Sequence, residues 1–269
     1  MLKLWRKTFG ILVISLILFS LVGLSAQAVD MEKTYKFGMD ADYPPWCSYK
    51  QGKAYGFEVE VFRAIAEHFD LKYKFEGLPW KTAVPALAAG KLDVLFGGMY
   101  ITEERDKKID YSAPYYTESG FLLVKKDSDI TLAELLAGNK KLGGLAGGTQ
   151  YFFLQNWAKK ADVNIRAVAY ETDELALKDL EAGRISGMLA DGLPTYAYLK
   201  DYDVKRIVML YNYANQIAAG VQEGDPDNLV PLINEGMTWL WESGKWQELW
   251  NEYMPERAPA VGPLPLERE

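Results

Sequence analysis

The fold is decided by residues 81–96, which read KTAVPALAAGKLDVLF. The first part of this stretch predicts a helix from about Lys81 to Ala89. The helix stops at Gly90, because glycine commonly follows the last turn of a helix. The last part, residues 92–96, is an apolar run that is typical of a buried strand. A helix that leads directly into a strand is the repeating step of a parallel sheet covered by helices.

The alternation of strand and helix extends towards the N-terminus. Residues 35–39 alternate like a short strand, residues 42–46 form a rigid Pro-rich loop, and a helix ends near Phe69. Residues 71–75 then predict the strand that precedes the helix at Lys81. This part of the chain predicts one α/β unit.

A second α/β unit is predicted after residue 120. Thr131 and Glu134 have the spacing of a capping box, and Gly147 and Gly148 predict a tight turn. Strands are predicted at residues 121–124, 141–145, 165–169 and 185–189, with helices at 151–160 and 173–182. No linker rich in Gly, Ser or Pro separates the two units, so we expect ordered strands to join them.

The last part of the chain predicts further strands at residues 205–211 and 217–221. A helix is predicted over residues 228–253, with Gly236 and Gly244 interrupting it. The tail over residues 255–269 has too little apolar surface to fold, so we expect it to be loose or draped on the surface.

The N-terminus predicts export. Lys3, Arg6 and Lys7 precede an uncharged apolar run over residues 9–24, and Ala26-Gln27-Ala28 follows. This order is typical of a signal peptide, residues 1–28, which we expect to be cleaved after Ala28. The alternative is an uncleaved anchor, because a run of about sixteen residues approaches the length that spans a bilayer.

Composition excludes several classes of function. The chain has 30 basic and 37 acidic residues, and loss of residues 1–28 would remove three cations and no anion, which leaves a net charge of about −10. Nucleic-acid binding is disfavoured, since it requires clustered cations. Cys47 and His68 are the single Cys and His of the chain, which excludes an internal disulfide and a zinc site of several Cys and His ligands. We expect His68 to be a surface residue of a helix.

Three segments, in order, resemble the polar amino-acid-binding proteins that serve bacterial ABC importers. The first is DYPPW at residues 42–46, with GFEVEV at residues 56–61. The second is GKLDVLFGGMYITEER at residues 90–105, continuing to IDYSAPY at residues 109–115, and the third is GRISGMLAD at residues 183–191. The resemblance covers essentially the whole chain after the signal.

The resemblance implies a two-lobed periplasmic-binding-protein fold of α/β class, with two hinge crossings and the ligand in the cleft between the lobes. Lobe 1 would comprise residues 30–117 plus 216–269, and lobe 2 residues 118–215. The strands predicted near Phe121 and Tyr211 stand where the crossings should be. The implied function is extracytoplasmic binding of a small zwitterionic solute, most plausibly an amino acid, for delivery to an ABC permease, by a monomer without catalytic activity, cofactor or metal.

A free amino acid requires one cation and one anion from its site, because both of its charges are costly to remove from water. Arg105, in the first turn of a helix that Thr102 can cap, resembles the family residue that binds the carboxylate, although it could belong to a solvated charge cluster instead. Asp191 follows an apolar strand, where α/β folds place ligand groups. The alternative for Asp191 is a helix cap.

The resemblance implies the remaining site residues. Thr149 and Gln150, at a helix start that attracts anions, would add donors to the carboxylate, and the Gly98 carbonyl would meet the ammonium. The family positions that often line the pocket for the ligand side chain are occupied here by Asp40, Tyr43, Trp46 and Trp80. For Trp46, packing in the core is an equal alternative. Tyr100 departs from the Ser or Thr that the family usually has, so its ring should fill volume and move the hydroxyl outward. An aromatic-walled pocket is predicted, which suits a planar or cationic side chain.

Two other functions fit the same fold. Some exported dehydratases that act on prephenate-like substrates share it and use an added acid in the cleft, but Pro194 stands where such an acid is expected. The second alternative is a sensory role, in which the closed lobes contact a membrane receptor rather than a permease. The sequence does not separate transport from sensing.

Overall fold

The structure is a computed structural model that describes residues 28–160, 162–210, 216–254, 256 and 262–267. The predicted signal peptide lies outside the described residues except for Ala28. In the described part of the chain, no helix is both long enough and apolar enough to cross a membrane.

The strands and helices alternate along most of the chain, as expected. The strands are β1 Thr34–Asp40, β2 Asp42–Tyr43, β3 Cys47–Lys50, β4 Lys53–Tyr55, β5 Lys72–Leu78, β6 Val94–Phe96, β7 Ile109–Tyr111, β8 Tyr116–Thr117, β9 Gly120–Lys125, β10 Lys140–Leu145, β11 Ile165–Tyr170, β12 Gly187–Asp191, β13 Val204–Leu210, β14 Gln216–Ile217 and β15 Gly220–Gln222. The helices are α1 Phe57–His68, α2 Trp80–Ala88, α3 Glu103–Asp106, α4 Leu132–Ala137, α5 Thr149–Trp157, α6 Asp173–Glu181, α7 Gly192–Asp201, α8 Leu229–Glu242 and α9 Lys245–Tyr253.

Two five-stranded sheets, one in each lobe, follow the same plan. Sheet 1, in lobe 1, has the order β5-β1-β6-β15-β7, and sheet 2, in lobe 2, has the order β11-β10-β12-β9-β13. The first three strands of each sheet are parallel, and the fourth, β15 or β9, is antiparallel to both of its neighbours. In each sheet, this fourth strand follows directly after the chain has crossed from the other lobe.

The hinge is a small antiparallel ladder. Strands β8 and β14 pair through Thr117 with Gln216 and through Tyr116 with Ile217. The sequence placed the crossings near Phe121 and Tyr211, which is wrong for Phe121, because that residue lies in β9 inside sheet 2. Tyr211 lies outside the described residues. The limits of the lobes, 30–117 plus 216–269 and 118–215, remain a prediction.

Helices cover both faces of each sheet. In lobe 1, α1, α8 and α9 contact one another, and Ala83 and Leu87 of α2 pack with Leu92 and Leu95 in a second cluster. In lobe 2, Leu177 of α6 belongs to a separate apolar cluster with β9 and β12. Burial of these apolar faces is the main stabilisation that a chain without a disulfide can obtain.

Several local predictions need correction. Gly236 does not interrupt α8, since it lies inside the helix, where a Cβ atom would come within 2.7 Å of Ile65 Cγ2. The helix ends instead just before Gly244, which has a φ of 77°. Residues 42–46 are not only a loop, because β2 pairs with β3. Helix α7 was not predicted, since the aromatic and polar residues of 192–201 lack a clear apolar stripe.

The part of the tail that the structure describes, residues 262–267, is packed on lobe 1. Leu264 is buried, the Leu266 N–H donates to the Pro114 carbonyl, and the Glu267 carbonyl accepts from the Gln216 side chain at 2.5 Å. His68 is exposed on α1, as predicted, and its ring stacks on Trp239 with centroids 4.0 Å apart.

Candidate functional site

The carboxyl ends of the parallel strands of both sheets meet at one cleft. Strand β1 ends at Asp40, β12 ends at Asp191, and β6 and β10 lead into glycine turns at residues 97–98 and 147–148. Ligand groups in open α/β sheets gather at such strand ends. The cleft is lined by Asp40, Tyr43, Trp80, Gly97, Gly98, Tyr100, Arg105, Leu145, Gly148, Thr149, Gln150 and Asp191.

Nine of the ten residues that the sequence suggested for the site therefore line one cavity, and the structure adds Gly97, Leu145 and Gly148. Trp46 is not among the lining residues; it is fully buried, with its ring centroid 5.3 Å from that of Tyr116. The cavity measures about 10 Å³, room for the centre of roughly one water molecule. The lobes are thus closed on each other in this structure.

Arg105 is the buried residue of a helix turn whose other charges face solvent. Thr102 caps α3, and its side chain accepts a hydrogen bond from the Arg105 N–H at 3.3 Å. The guanidinium donates to the Tyr100 carbonyl at 2.9 Å and to the Gly147 carbonyl of lobe 2 at 3.4 Å. Only 8% of Arg105 is exposed, so it is not a member of a solvated charge cluster.

Asp191 is a buried carboxylate that both lobes contact. It is 2% exposed, and its Oδ2 accepts from the Tyr43 hydroxyl of lobe 1 and from the Gln150 amide of lobe 2, the latter at 2.7 Å. Although Asp191 is the N-cap residue of α7, its side chain makes no capping bond. The helix start is instead bound by Glu118, which accepts from the Leu193 N–H. Asp191 therefore occupies the cap position of α7 without capping the helix through its side chain.

Gly98 sits in a turn that only glycine adopts without strain, with a φ of 60° after a φ of 125° at Gly97. Its N–H donates to Glu58 Oε2 at 2.7 Å, and Glu58 Oε1 accepts from the Tyr115 hydroxyl. Burial raises the pKa of Glu58 to about 7. Sequence reasoning missed Glu58, because a Glu in the first turn of a helix is ordinarily a surface residue.

Tyr100 lines the cavity, and its hydroxyl donates to Glu118 Oε2 at 3.2 Å. The hydroxyl therefore points to a buried residue beside the hinge strand rather than outward. Burial, reinforced by the charge of Asp191, raises the pKa of Glu118 well above its usual range. Glu118 was also missed, although an acidic residue directly after a crossing strand is a signal that could have found it.

The start of α5 forms the lobe 2 wall of the cavity. Gly148 is its N-cap residue and Thr149 its first residue, so the first turn, whose N–H groups have no partner within the helix, lies at the cavity. The side chain of Gln150 is buried and donates to Asp191. A Cβ atom at Gly147 would lie 2.8 Å from the Cα of Lys81, so this glycine lets the lobes approach each other closely.

Asp40 and Trp80 complete the lobe 1 wall. Asp40 accepts from the Asp42 N–H at 3.0 Å, and burial raises its pKa to about 6. The ring centroid of Trp80 lies 5.4 Å from the Arg105 guanidinium carbon, a cation–π distance. Within the described ranges, no group of three or more His, Cys, Asp or Glu side chains is placed to hold a metal ion.

Comparison with known proteins places these features in context. Residues 35–256 match the model of the bacterial extracellular solute-binding proteins, family 3. A probable histidine-binding protein of Neisseria gonorrhoeae is 26% identical over 233 residues, which cover 85% of this chain and 86% of that protein.

Solved structures have the same architecture. An ancestral arginine-binding protein bound to arginine has a TM-score of 0.75 and 28% identity, over 83% of this chain and 99% of that one. An ancestral amino-acid-binding protein, described as a precursor of cyclohexadienyl dehydratase, has a TM-score of 0.73 and 26% identity, over 83% of this chain and 96% of that one.

Proposed function

The chain belongs to family 3 of the bacterial extracellular solute-binding proteins, and we propose that it binds a free amino acid between its lobes and delivers it to an ABC-type permease. One observation carries the proposal. The buried cation Arg105 and the buried anion Asp191, one from each lobe, line the same cavity. This pair matches the two charges of an amino acid, neither of which is easily removed from water without a partner.

In the proposed complex, the guanidinium of Arg105 binds the ligand carboxylate through parallel hydrogen bonds. The first-turn N–H groups of α5 and the Thr149 hydroxyl add donors from lobe 2. The ammonium lies between Asp191 and the Gly98 carbonyl. Since Gln150 already donates to Asp191, we assign to it the positioning of that carboxylate as well as the predicted contact with the ligand.

We expect the ligand to close the lobes, because Arg105 lies on one lobe and Asp191 on the other. Because the ligand carboxylate and ammonium need groups from both lobes, the ligand has a higher affinity for the closed form than for the open form, and only this difference shifts the equilibrium. Contacts such as the Arg105 bond to Gly147 and the Tyr43 bond to Asp191 already join the lobes. We expect a dissociation constant near the micromolar range, about −8 kcal/mol.

We further propose that the protein is exported with cleavage after Ala28, that it acts as a monomer, and that the lobes meet at residues 117–118 and 215–216. The pairing of β8 with β14 supports these limits, because it lies directly beside them. The cavity residues support binding rather than catalysis, and the relative from Neisseria is named as a binding protein.

A binding screen tests the proposal. Protein stripped of ligand by unfolding and refolding is titrated calorimetrically with each of the common L-amino acids, and with prephenate as a substrate of the alternative dehydratase. We expect at least one amino acid to bind, with a dissociation constant near the micromolar range, and no turnover of prephenate. Turnover, or the absence of binding by every amino acid, would overturn the proposed function.

A further inference from the structure

A buried carboxylate at the hinge contacts both lobes. Glu118 directly follows the hinge strand β8, and only 6% of it is exposed. Its Oε2 accepts from the Tyr100 hydroxyl of lobe 1 at 3.2 Å, and its Oε1 accepts from the Leu193 N–H of lobe 2. Glu118 is not among the residues that line the cavity. It therefore offers a ligand no direct contact.

On the lobe 1 side, Glu118 binds the residue that supports Arg105. The Tyr100 carbonyl accepts from the Arg105 guanidinium at 2.9 Å, and Tyr100 lines the cavity. The Tyr100 backbone also forms a bridge with Ile217 of the second hinge strand, β14. A tyrosine that is held at its hydroxyl as well as at its backbone has little freedom to change its rotamer. The bond to Glu118 therefore fixes the ring in the cavity wall.

On the lobe 2 side, Glu118 holds the helix start that follows Asp191. Helix α7 begins at Gly192, and the Leu193 N–H is one of the first-turn donors that have no partner within a helix. Glu118 supplies that partner. A Cβ atom at Gly192 would lie 2.9 Å from Glu118 Oε1, so glycine permits this close approach. Because Glu118 binds the helix start, the Asp191 side chain is left to line the cavity.

Both sets of contacts lead to the charged groups of the proposed complex. An amino acid carries its two charges on one carbon, so the cation Arg105 and the anion Asp191 need a fixed arrangement in the closed form. Binding groups are held most precisely when the residues that support them are themselves locked by packing and hydrogen bonds. Glu118 is linked to Arg105 through Tyr100 and to Asp191 through the start of α7.

We propose that Glu118 is a positioning residue of the ligand site, which ties the Tyr100 ring to the start of α7 and thereby holds Arg105 and Asp191 in the arrangement that binds an amino acid. This inference rests on the proposed function and deepens it. Loss of the carboxylate would free the Tyr100 ring and would leave the Leu193 N–H without its acceptor. Both changes would displace groups that bind the amino acid, although no ligand contact of Glu118 itself is lost.

The first test compares two replacements of Glu118. Stripped wild-type protein is titrated calorimetrically with each of the common L-amino acids, and the one that binds most tightly serves as the probe. Glu118→Ala should weaken binding of the probe by about tenfold or more, because it releases both the ring and the helix start. Glu118→Gln should stay within about threefold of the wild type, since its amide can accept from the Leu193 N–H and donate to the Tyr100 hydroxyl. A loss in Glu118→Gln as large as that in Glu118→Ala, or no loss in either, would overturn the inference.

The second test removes only the hydroxyl that Glu118 accepts. Tyr100→Phe keeps the ring and should weaken binding of the probe by about fivefold or more. Tyr170→Phe is the matched control, because the Tyr170 hydroxyl also donates to a carboxylate, that of Asp179, at 2.8 Å inside lobe 2. We expect it to change the affinity by less than about twofold. Equal effects of the two variants would overturn the inference, and this comparison decides it even if Glu118→Ala does not fold.

A double-mutant cycle separates positioning from a general loss of stability. If the Tyr100 hydroxyl acts through Glu118, Tyr100→Phe should cost less than about twofold in affinity in the Glu118→Ala background, where the acceptor is already gone. Losses that multiply would show that the two residues act independently, and the inference would be wrong while the proposed function stands. If the wild-type protein binds no amino acid, the proposed function fails and the inference fails with it.

Discussion

Glu58 and Asp191 are equally well buried carboxylates with different surroundings. Both accept hydrogen bonds, but the Gly98 N–H and the Tyr115 hydroxyl, which donate to Glu58, lie in its own lobe. Asp191 accepts from Tyr43 of lobe 1 and Gln150 of lobe 2. Separation of the lobes would leave Glu58 satisfied and would release Asp191 from Tyr43. We therefore use a place in the cavity lining and a hydrogen-bond partner on the other lobe, and not burial alone, to distinguish a proposed ligand group from a structural carboxylate.

The largest expected effect on ligand binding comes from removing Arg105, the cation that lines the cleft with Asp191. Arg105→Ala should weaken ligand binding at least 100-fold, or about 2.7 kcal/mol, because the ligand carboxylate loses its charged partner. The ligand-free melting temperature should fall by only about 2–4 °C, since the bond to the Tyr100 carbonyl lies within lobe 1, whereas the bond to the Gly147 carbonyl joins lobes that can open without ligand. Calorimetric titration and thermal unfolding measure the two quantities.

The control for this variant is Arg184→Ala, because Arg184 is an exposed lobe 2 residue that pairs with Asp179 at 2.6 Å. The affinity of the Arg184→Ala variant for the ligand should match that of the wild-type protein. Ligand binding by Arg105→Ala within threefold of the wild type would contradict the carboxylate assignment.

A pair of tyrosine variants tests the difference between Glu58 and Asp191 directly. Tyr115→Phe removes a donor from Glu58 inside one lobe, so we expect a loss of about 1–3 kcal/mol in the free energy of unfolding. Tyr43→Phe removes a donor from Asp191, but the ligand-free protein can open and let water replace it. We therefore expect a loss below about 0.5 kcal/mol, measured by urea unfolding without ligand. Equal losses would mean that the two carboxylates play the same structural role.

The smallest expected effect is the pH dependence of the ligand-free protein. Burial raises the pKa of Glu58 and Asp173 to about 7 and that of Asp40 to about 6. An acid with a raised pKa holds its proton in the folded state at a pH where the unfolded chain has lost it. Stability should therefore fall as pH rises from about 5 to 8.

Thermal unfolding at pH 5 and pH 8, at one ionic strength, checks this direction. We expect the melting temperature to be at least about 2 °C higher at pH 5, a difference of roughly 1 kcal/mol. Acids with a lowered pKa, such as Glu134 and Asp179, act at lower pH and do not reverse the sign in this window. Asp173→Asn should reduce the difference, and a melting temperature that rises with pH would refute the interpretation.

Most of the fold could be predicted from the sequence, because it depends on local patterns. The step from α2 to β6 and the capping box at Thr131 appear where the residues placed them. The pairing of strands distant in sequence could not be read from any segment. The crossing strand near Phe121 was accordingly misplaced, and α7, which lacks an apolar stripe, was missed.

For the site, the sequence named residues that line one cavity, but it did not reveal which buried residues support them. Arg105 and Asp191 follow motifs with fixed spacing, so a resemblance could identify them. Glu58 and Glu118 matter through burial and through partners far along the chain, such as the Leu193 N–H for Glu118. A carboxylate at a helix start is usually exposed, and only tertiary packing distinguishes Glu58 from the ordinary case.

The position of β15 in sheet 1 sets the order in which the two lobes can fold. Residues 220–222 lie between β6 and β7, where they pair with partners more than a hundred positions earlier in the chain. Sheet 2 is built from a continuous stretch, β9 to β13, and needs no such distant pairing. When the chain folds, lobe 2 can therefore reach its final topology first, and sheet 1 stays incomplete until the C-terminal part of the chain adds β15 between β6 and β7.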